Sequence, residues 1–167
     1  MPHPPPEQNR TSTTLVPESP DDDGFLRALY ATAREEELAM TGWTSEQREA
    51  FLNSQFDAQK RGYRTAFPKA SFLTIWKDHV RAGRIIVDRC SDEMRIVDMA
   101  LLPEFRNQGI GTRLIRELQD EAVRSKSPLR LRVHPASRAV KLYERLGFQK
   151  LDDDHFHRHY EWRSNAA

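Results

Sequence analysis

An α/β or α+β layer fold is predicted for this 167-residue chain by three observations. Strand-like runs follow one another between Ser71 and Leu102, as hairpins do. An apolar helical stripe starts directly after them at Gly109, and another strand-like run, Leu129 to Val133, comes next. Antiparallel hairpins followed by a strand–helix–strand crossover make a sheet covered by helices. The length is one domain's worth, and folding at this size buries roughly 68–70% of the unfolded chain's surface.

Taken in order, residues 1–12 read as a disordered Pro-rich tail, with Pro2, Pro4, Pro5 and Pro6 and little apolar content. Residues 13–163 read as a single domain. Thr13 to Val16 is a short strand ended by Pro17, and Asp21, Asp22 and Asp23 are N-cap candidates for a helix. Phe25, Leu26, Leu29, Tyr30 and Ala33 carry that helix at its natural spacing, with the polar run Arg34 to Glu37 after them. A second helix begins at Thr44, which has capping-box spacing to Gln47, and Gly62 is expected to loosen its end.

After Pro68, Ser71 to Trp76 and Val80 to Arg89 form a hairpin through Lys77, Asp78 and His79. Arg95 to Leu102 is a third strand of this group, closed by Pro103. Gly109 to Arg124 is an amphipathic helix with Ile110, Leu114, Ile115, Leu118 and Ala122 as its apolar stripe. Leu129 to Val133 is a strand between prolines. Ala136 to Leu146 is a helix stopped by Gly147, and His155 to Trp162 is the final strand.

Charge and cysteine content narrow the function classes. With 26 Lys+Arg against 25 Asp+Glu, the net charge is +1, so a broadly basic nucleic-acid surface is not expected. A single cysteine, Cys90, excludes an intrachain disulfide framework and a multi-thiolate metal site, and suits a reducing compartment. Apolar runs such as Met99-Ala100-Leu101-Leu102 fall far short of the ~20 residues of a membrane span. The start, MPHPPPEQNR, has no basic-then-apolar signal pattern. A cytoplasmic protein is expected, without a membrane partner, as monomer or homodimer.

The pair Gly109 and Gly111 marks the place where chemistry is expected. Arg106-Asn107-Gln108-Gly109-Ile110-Gly111-Thr112 leaves a strand and opens a helix. The first N–H groups of a helix lack intrahelical partners and sit at the positive end of its dipole, so an anionic phosphate binds there if the backbone can approach. Glycine permits that approach. The stretch is not a Walker A loop, because Thr112-Arg113 follows Gly111. It is not the dinucleotide fingerprint either, because Leu114 replaces the third glycine. A tight strand-to-helix turn with no ligand is the alternative on these glycines alone.

Arg106-x-x-Gly109-x-Gly111 resembles the acyl-CoA pyrophosphate loop of the GNAT superfamily of N-acetyltransferases. Asp98 to Phe105 is similar to that superfamily's strand and approach to the loop. Ala139-x-x-Leu142-Tyr143-Glu144-Arg145-Leu146-Gly147-Phe148 is similar to its second block. The resemblance covers roughly residues 15–162 and is strongest over 95–148. It implies a mixed, mostly antiparallel sheet with flanking helices and two splayed central parallel strands, 95–102 and 129–133.

The resemblance also implies roles. Acetyl-CoA would be the co-substrate, its pyrophosphate held by the backbone of Asn107, Gln108, Gly109, Ile110, Gly111 and Thr112 with Arg106 beside it. Met99, Ala100 and Leu101 would pair with the pantetheine arm as with an added strand. Tyr143 would protonate the leaving thiolate; otherwise it is a core aromatic of an amphipathic helix. The superfamily often has Asn where this chain has Ala136, and Ser137 is the candidate replacement cap.

The implied reaction is direct attack of an amine on the thioester, so Cys90 is not needed as a nucleophile. For the base, Asp98 is one candidate, and Glu35, Glu36 and Glu37 are others, although a glutamate run also reads as a solvated helix face. His155-x-His157-x-His159 places three of the six histidines on one face of the expected strand. These either bind a metal or line the acceptor pocket. The second reading is preferred, with His157, His159 and His134 as acceptor-binding residues and no metal. The expected function is acetyl transfer to a primary amine of a small molecule or peptide. The alternatives are a catalytically silent acyl-CoA-binding module and an acyltransferase using a longer-chain or carrier-protein donor.

Overall fold

A computed structural model describes residues 12–165; most of the Pro-rich segment lies outside them. Seven strands form one sheet: β1 (Thr13–Pro17), β2 (Ser71–Lys77), β3 (Val80–Arg89), β4 (Met94–Leu101), β5 (Leu129–Val133), β6 (Gln149–Asp153) and β7 (Arg158–Trp162). Four helices accompany them: α1 (Asp23–Ala39), α2 (Ser45–Ala66), α3 (Ile110–Ser125) and α4 (Ala139–Arg145). Across the sheet the order is β1-β2-β3-β4-β5-β7-β6, with β4–β5 the one parallel pair. The sheet is mixed and mostly antiparallel, as expected.

Local chemistry explains the element ends. Thr44 caps α2 reciprocally with Gln47: the Gln47 N–H donates to Thr44 Oγ1 at 3.2 Å, and the Thr44 N–H donates to Gln47 Oε1 at 2.9 Å. Asp78 and His79 take positive φ, 48° and 67°, which is the two-residue turn that suits the twist of a β2–β3 hairpin. Gly62 does not end α2; the helix continues to Ala66 and stops before Pro68. A single exposed glycine costs about 1 kcal/mol in a helix, too little to break 22 residues anchored by a cap and by Phe56.

Two other expectations are corrected. Helix α4 begins at Ala139 rather than Ala136, and residues 136–138 form a turn in which the Ala139 N–H donates to Ser137 Oγ at 3.2 Å. The last strand begins at Arg158 rather than His155. Residues 154–157 are a turn joining β6 to β7, held by Asp154, whose Oδ1 accepts the N–H groups of Phe156 and His157. His155, His157 and His159 therefore do not share one strand face.

The sheet has a core on each side. Ile85, Val87, Met94, Ile96, Leu129 and Leu131 pack against the stripe of α3 and against Tyr143 and Phe148. Each such side chain contributes roughly 1.5–3 kcal/mol on full burial. Alternation sends Phe72, Thr74, Arg84 and Ile86 to the other face, which α1 and α2 cover with Leu26, Leu29 and Phe56. The Arg64 guanidinium lies 3.6 Å above the Phe72 ring on that face.

Candidate active site

The loop from β4 to α3 is built around Gly109, whose φ of 83° only glycine adopts without strain. Asn107 also takes positive φ, 60°, a conformation its short polar side chain tolerates. The first α-type bond of α3 runs from the Arg113 N–H to the Gly109 carbonyl at 3.0 Å. The N–H groups of Ile110, Gly111 and Thr112 precede it and remain at the positive end of the helix. Arg106 is tethered to the loop's start, donating from Nε to the Leu101 carbonyl at 3.1 Å. Gln108 donates to the Glu104 carbonyl at 2.7 Å and accepts from Lys77. A Cβ on Gly111 would lie 3.3 Å from Leu142 and 3.7 Å from Met99, so this glycine brings α3 against α4 and β4.

Beside this loop, β4 and β5 part company. Their pairing ends at Ile96↔Leu131, although β4 runs on to Leu101 and β5 to Val133. The same point carries a bulge. Ile86 pairs with Asp98 and Val87 with Ile96, leaving Val97 as an extra residue on β4. A bulge reverses side-chain alternation. Ile96 and Met99 therefore both join the core under α3, while Asp98 turns to the α2 face.

The parting strands enclose a cavity of about 230 Å³, lined by residues 96–99 of β4, 131–133 of β5 and His134 just after it. Tyr143 enters it from α4, Tyr63 from α2 and His157 from the β6–β7 turn. Burial pushes the Tyr143 hydroxyl well above the usual phenol range, and the nearby Asp98 charge adds to the effect. Tyr143 thus keeps its proton throughout the neutral range. Its ring packs edge-on to Phe148, with centroids 5.5 Å apart.

Asp98 is the carboxylate of the cavity. Burial raises its pKa above the usual carboxylate range, against the opposing pull of Arg84 and of the Met99 N–H, and Glu18 raises it further. Its side chain nevertheless keeps 27% exposure, which opens onto the cavity. Behind it, Arg84 and Glu18 form a buried pair 3.0 Å apart, with side-chain exposures of 6% and 7%. The other arm of Arg84 stands 4.0 Å from Asp98. One guanidinium thus faces two carboxylates, and Glu18 neutralises much of the charge that would otherwise hold Asp98 ionised.

The acceptor-side expectations divide. His134 and His157 line the cavity; His159 does not, and its Nε2 instead meets Asp154 Oδ2 at 3.2 Å. Glu35, Glu36 and Glu37 are exposed on α1 and lie outside the cavity lining. Glu36 bridges to Arg138 at 2.9 Å, and Glu37 pairs with Arg34. Among the described residues, no three His, Cys, Asp or Glu side chains converge to hold a metal ion. Cys90 is exposed after β3, bonded to Asp88 at 3.3 Å, and is not part of the cavity lining.

Tyr63 is the cavity residue that sequence reading missed. Burial and the Asp98 charge push its hydroxyl well above the phenol range, while Arg84 and Arg132 pull the other way. One signal was available, since Tyr63 stands seven residues after Phe56 and so continues the inward stripe of α2. That spacing shows burial against the sheet, but not what the sheet presents there.

Two parallel strands parting beside a glycine-opened helix are the arrangement that the resemblance to N-acetyltransferases implied. The chain belongs to the acetyltransferase (GNAT) domain family, whose model matches residues 31–162. It is accordingly an acyl-CoA-dependent N-acetyltransferase with acetyl-CoA as co-substrate. Among solved structures it is similar to PaiA N-acetyltransferase from Thermoplasma acidophilum in complex with coenzyme A. The two share 19% identity over 92% of this chain and 99% of that one, at a TM-score of 0.69. A GNAT family acetyltransferase from Elizabethkingia anophelis with acetyl-CoA bound is 15% identical over 91% and 98% of the two chains, with a TM-score of 0.54. N-acetyltransferase PseH from Campylobacter jejuni, in complex with acetyl coenzyme A, is 15% identical over 92% and 100%, with a TM-score of 0.57. At these identities the likeness is one of fold. Comparison with curated protein sequences finds no match.

Proposed function

We propose that this protein transfers an acetyl group from acetyl-CoA directly to a primary amine of a small molecule or peptide, with Asp98 as proton acceptor and Tyr143 as proton donor. The observation that carries this reading is their convergence on one cavity at the point where β4 and β5 separate. The free N–H groups of Ile110, Gly111 and Thr112, with Gly109 and Arg106, fit the pyrophosphate of the donor. Beyond Ile96 the edge of β4 through Met99, Ala100 and Leu101 has no β5 partner, which fits a pantetheine arm lying along it.

The chemistry asked of the chain is modest. An acceptor arriving as an ammonium must lose a proton, and Asp98 faces the cavity to take it. A carboxylate whose pKa is raised is, in its ionised form, a stronger base than an ordinary aspartate. At the other end the departing sulfur gains negative charge, and the Tyr143 hydroxyl is the donor that meets it. Holding the amine and thioester together supplies much of the remaining acceleration.

A free-thiol assay across an amine panel tests the reading. Tyr143→Phe is expected to lower kcat about 10²-fold or more, the usual worth of a positioned proton donor, while acetyl-CoA still raises the melting temperature. Wild-type kcat in that variant would remove Tyr143 from the mechanism. Acetyl-CoA binding without thiol release from any amine would instead identify a silent binding module.

A further inference from the structure

The wall of the cavity opposite Asp98 is cationic. Alternation along β5 directs Leu131 and Val133 into the α3 core and Arg132 and His134 to the α2 face, where Asp98 and Tyr63 also lie. Arg132 forms no ion pair among the described residues, although the neighbouring Arg130 is paired with both Glu93 and Glu161. Arg132 is exposed and lines the cavity together with Tyr63, His134 and His157.

The histidines add donors. His134 Nδ1 accepts the Ala136 N–H at 3.1 Å, so its ring proton resides on Nε2. His157 is held below the ordinary imidazole range by burial first and by Arg132 next; Asp154 opposes this, and His134 and His159 reinforce it. Asp154 stands 3.9 Å from His157, and it is already committed to the N–H groups of Phe156 and His157 and to His159. Arg132 is therefore the charged group of this wall, and the two histidines stand beside it as hydrogen-bonding groups. A cation at the edge of a cavity without an ion-pair partner of its own is met favourably by an anion that the ligand brings.

Resting on the acetyltransferase reading above, we infer that the acceptor is an amine that also carries an anionic group, carboxylate or phosphate, which Arg132 holds with His134 and His157 while the amine faces Asp98. The two charges of such a zwitterion match the two ends of the cavity. A polyamine would set a second cation against Arg132. The volume of about 230 Å³ suits a compact acceptor of this kind, being smaller than the ~300–1,000 Å³ of sites for drug-sized ligands.

The test is a thiol-release assay at saturating acetyl-CoA on matched pairs: α-amino acids against their carboxamides, and phosphorylated amines or amino sugars against their dephosphorylated forms. At least a tenfold higher kcat/KM for one kind of anionic member, mostly through KM, is expected, and which kind it is separates carboxylate from phosphate. Arg132→Gln is expected to shrink the ratio to about twofold, and Arg132→Glu to invert it. Inversion is something a merely destabilised protein would not show.

Equal kcat/KM within every pair in the wild type would overturn the inference and leave acetyl transfer standing. If no amine releases thiol, the acetyl-transfer reading fails separately. Calorimetry of the same pairs against the CoA-saturated protein then decides: Arg132-dependent binding of the anionic members upholds the anion site, and identical binding within pairs removes it.

Discussion

As the proposed base, Asp98 illustrates how one residue would serve function at the expense of stability. Its pKa in the fold lies above its unfolded value, so the folded state binds the proton more tightly. The stability this provides is present at low pH and is lost as pH rises through the folded pKa. Above that pKa ionised Asp98 is therefore a cost, and there Asp98→Asn should raise the melting temperature while acetyl transfer falls by about 10²-fold or more. The catalytic sign is the reverse: kcat/KM should decline as pH drops through the same pKa, because the base must be unprotonated. Glu18 lies outside the cavity lining yet adds its charge to the burial that raises this pKa. Glu18→Gln removes a charge that adds to the raised pKa of Asp98, so the acid limb of the pH profile should move slightly to lower pH. It should also cost about 3–5 kcal/mol in a denaturant titration, because Arg84 loses its close partner. An unmoved acid limb would show that Glu18 is structural only.

At the scale of elements, what matters is how closely strands and helices approach one another. A Cβ on Gly83 would fall 2.1 Å from the Ala100 carbonyl oxygen, a backbone atom that cannot step aside. Gly83→Ala should therefore push β3 from β4 and destabilise by about 1–3 kcal/mol or more, with a raised KM for acetyl-CoA because Ala100 belongs to the donor-facing strand. At Gly111 the nearest atom is a flexible Leu142 methyl at 3.3 Å, so Gly111→Ala should be much milder. Gly109 has open space around it, but its φ of 83° costs any other residue roughly 1–2 kcal/mol. The three variants, compared by melting temperature and donor KM, separate steric clash from backbone strain. The bulge at Val97 belongs to this scale too, since it allows neighbouring positions on β4 to serve the α3 core and the cavity.

For the whole molecule, the net charge of +1 locates the anion-binding capacity in particular groups rather than in a general field. Donor binding should therefore appear as a specific stabilisation. Acetyl-CoA at about 100 times its Kd adds ~2.7 kcal/mol, which for a chain this size is a rise of roughly 5–10 °C in melting temperature by calorimetry. No such rise would contradict the proposed donor site.

Most elements were legible along the chain because their signals are local. The Thr44–Gln47 cap, the stripe of α3 and the glycine turn each depend on residues a few positions apart. The exceptions have equally physical causes. Gly62 was outweighed by the rest of α2, and the His155–His159 alternation mimicked a strand that Asp154 interrupts by bonding to the next two N–H groups. In the site, the family resemblance pointed to the loop, Tyr143 and Asp98, while Tyr63, Arg132 and the Glu18–Arg84 pair went unnoticed. They act across separations such as the 66 residues between Glu18 and Arg84, which leave no periodicity to read. By itself, then, the sequence determined the layer fold and the glycine turn, both written in short-range spacing, while its resemblance to the acetyltransferase superfamily implied the acyl-transfer chemistry. Only the tertiary structure decided which charges face one another, because burial and opposition across a cavity are properties of packed strands rather than of neighbours in the chain.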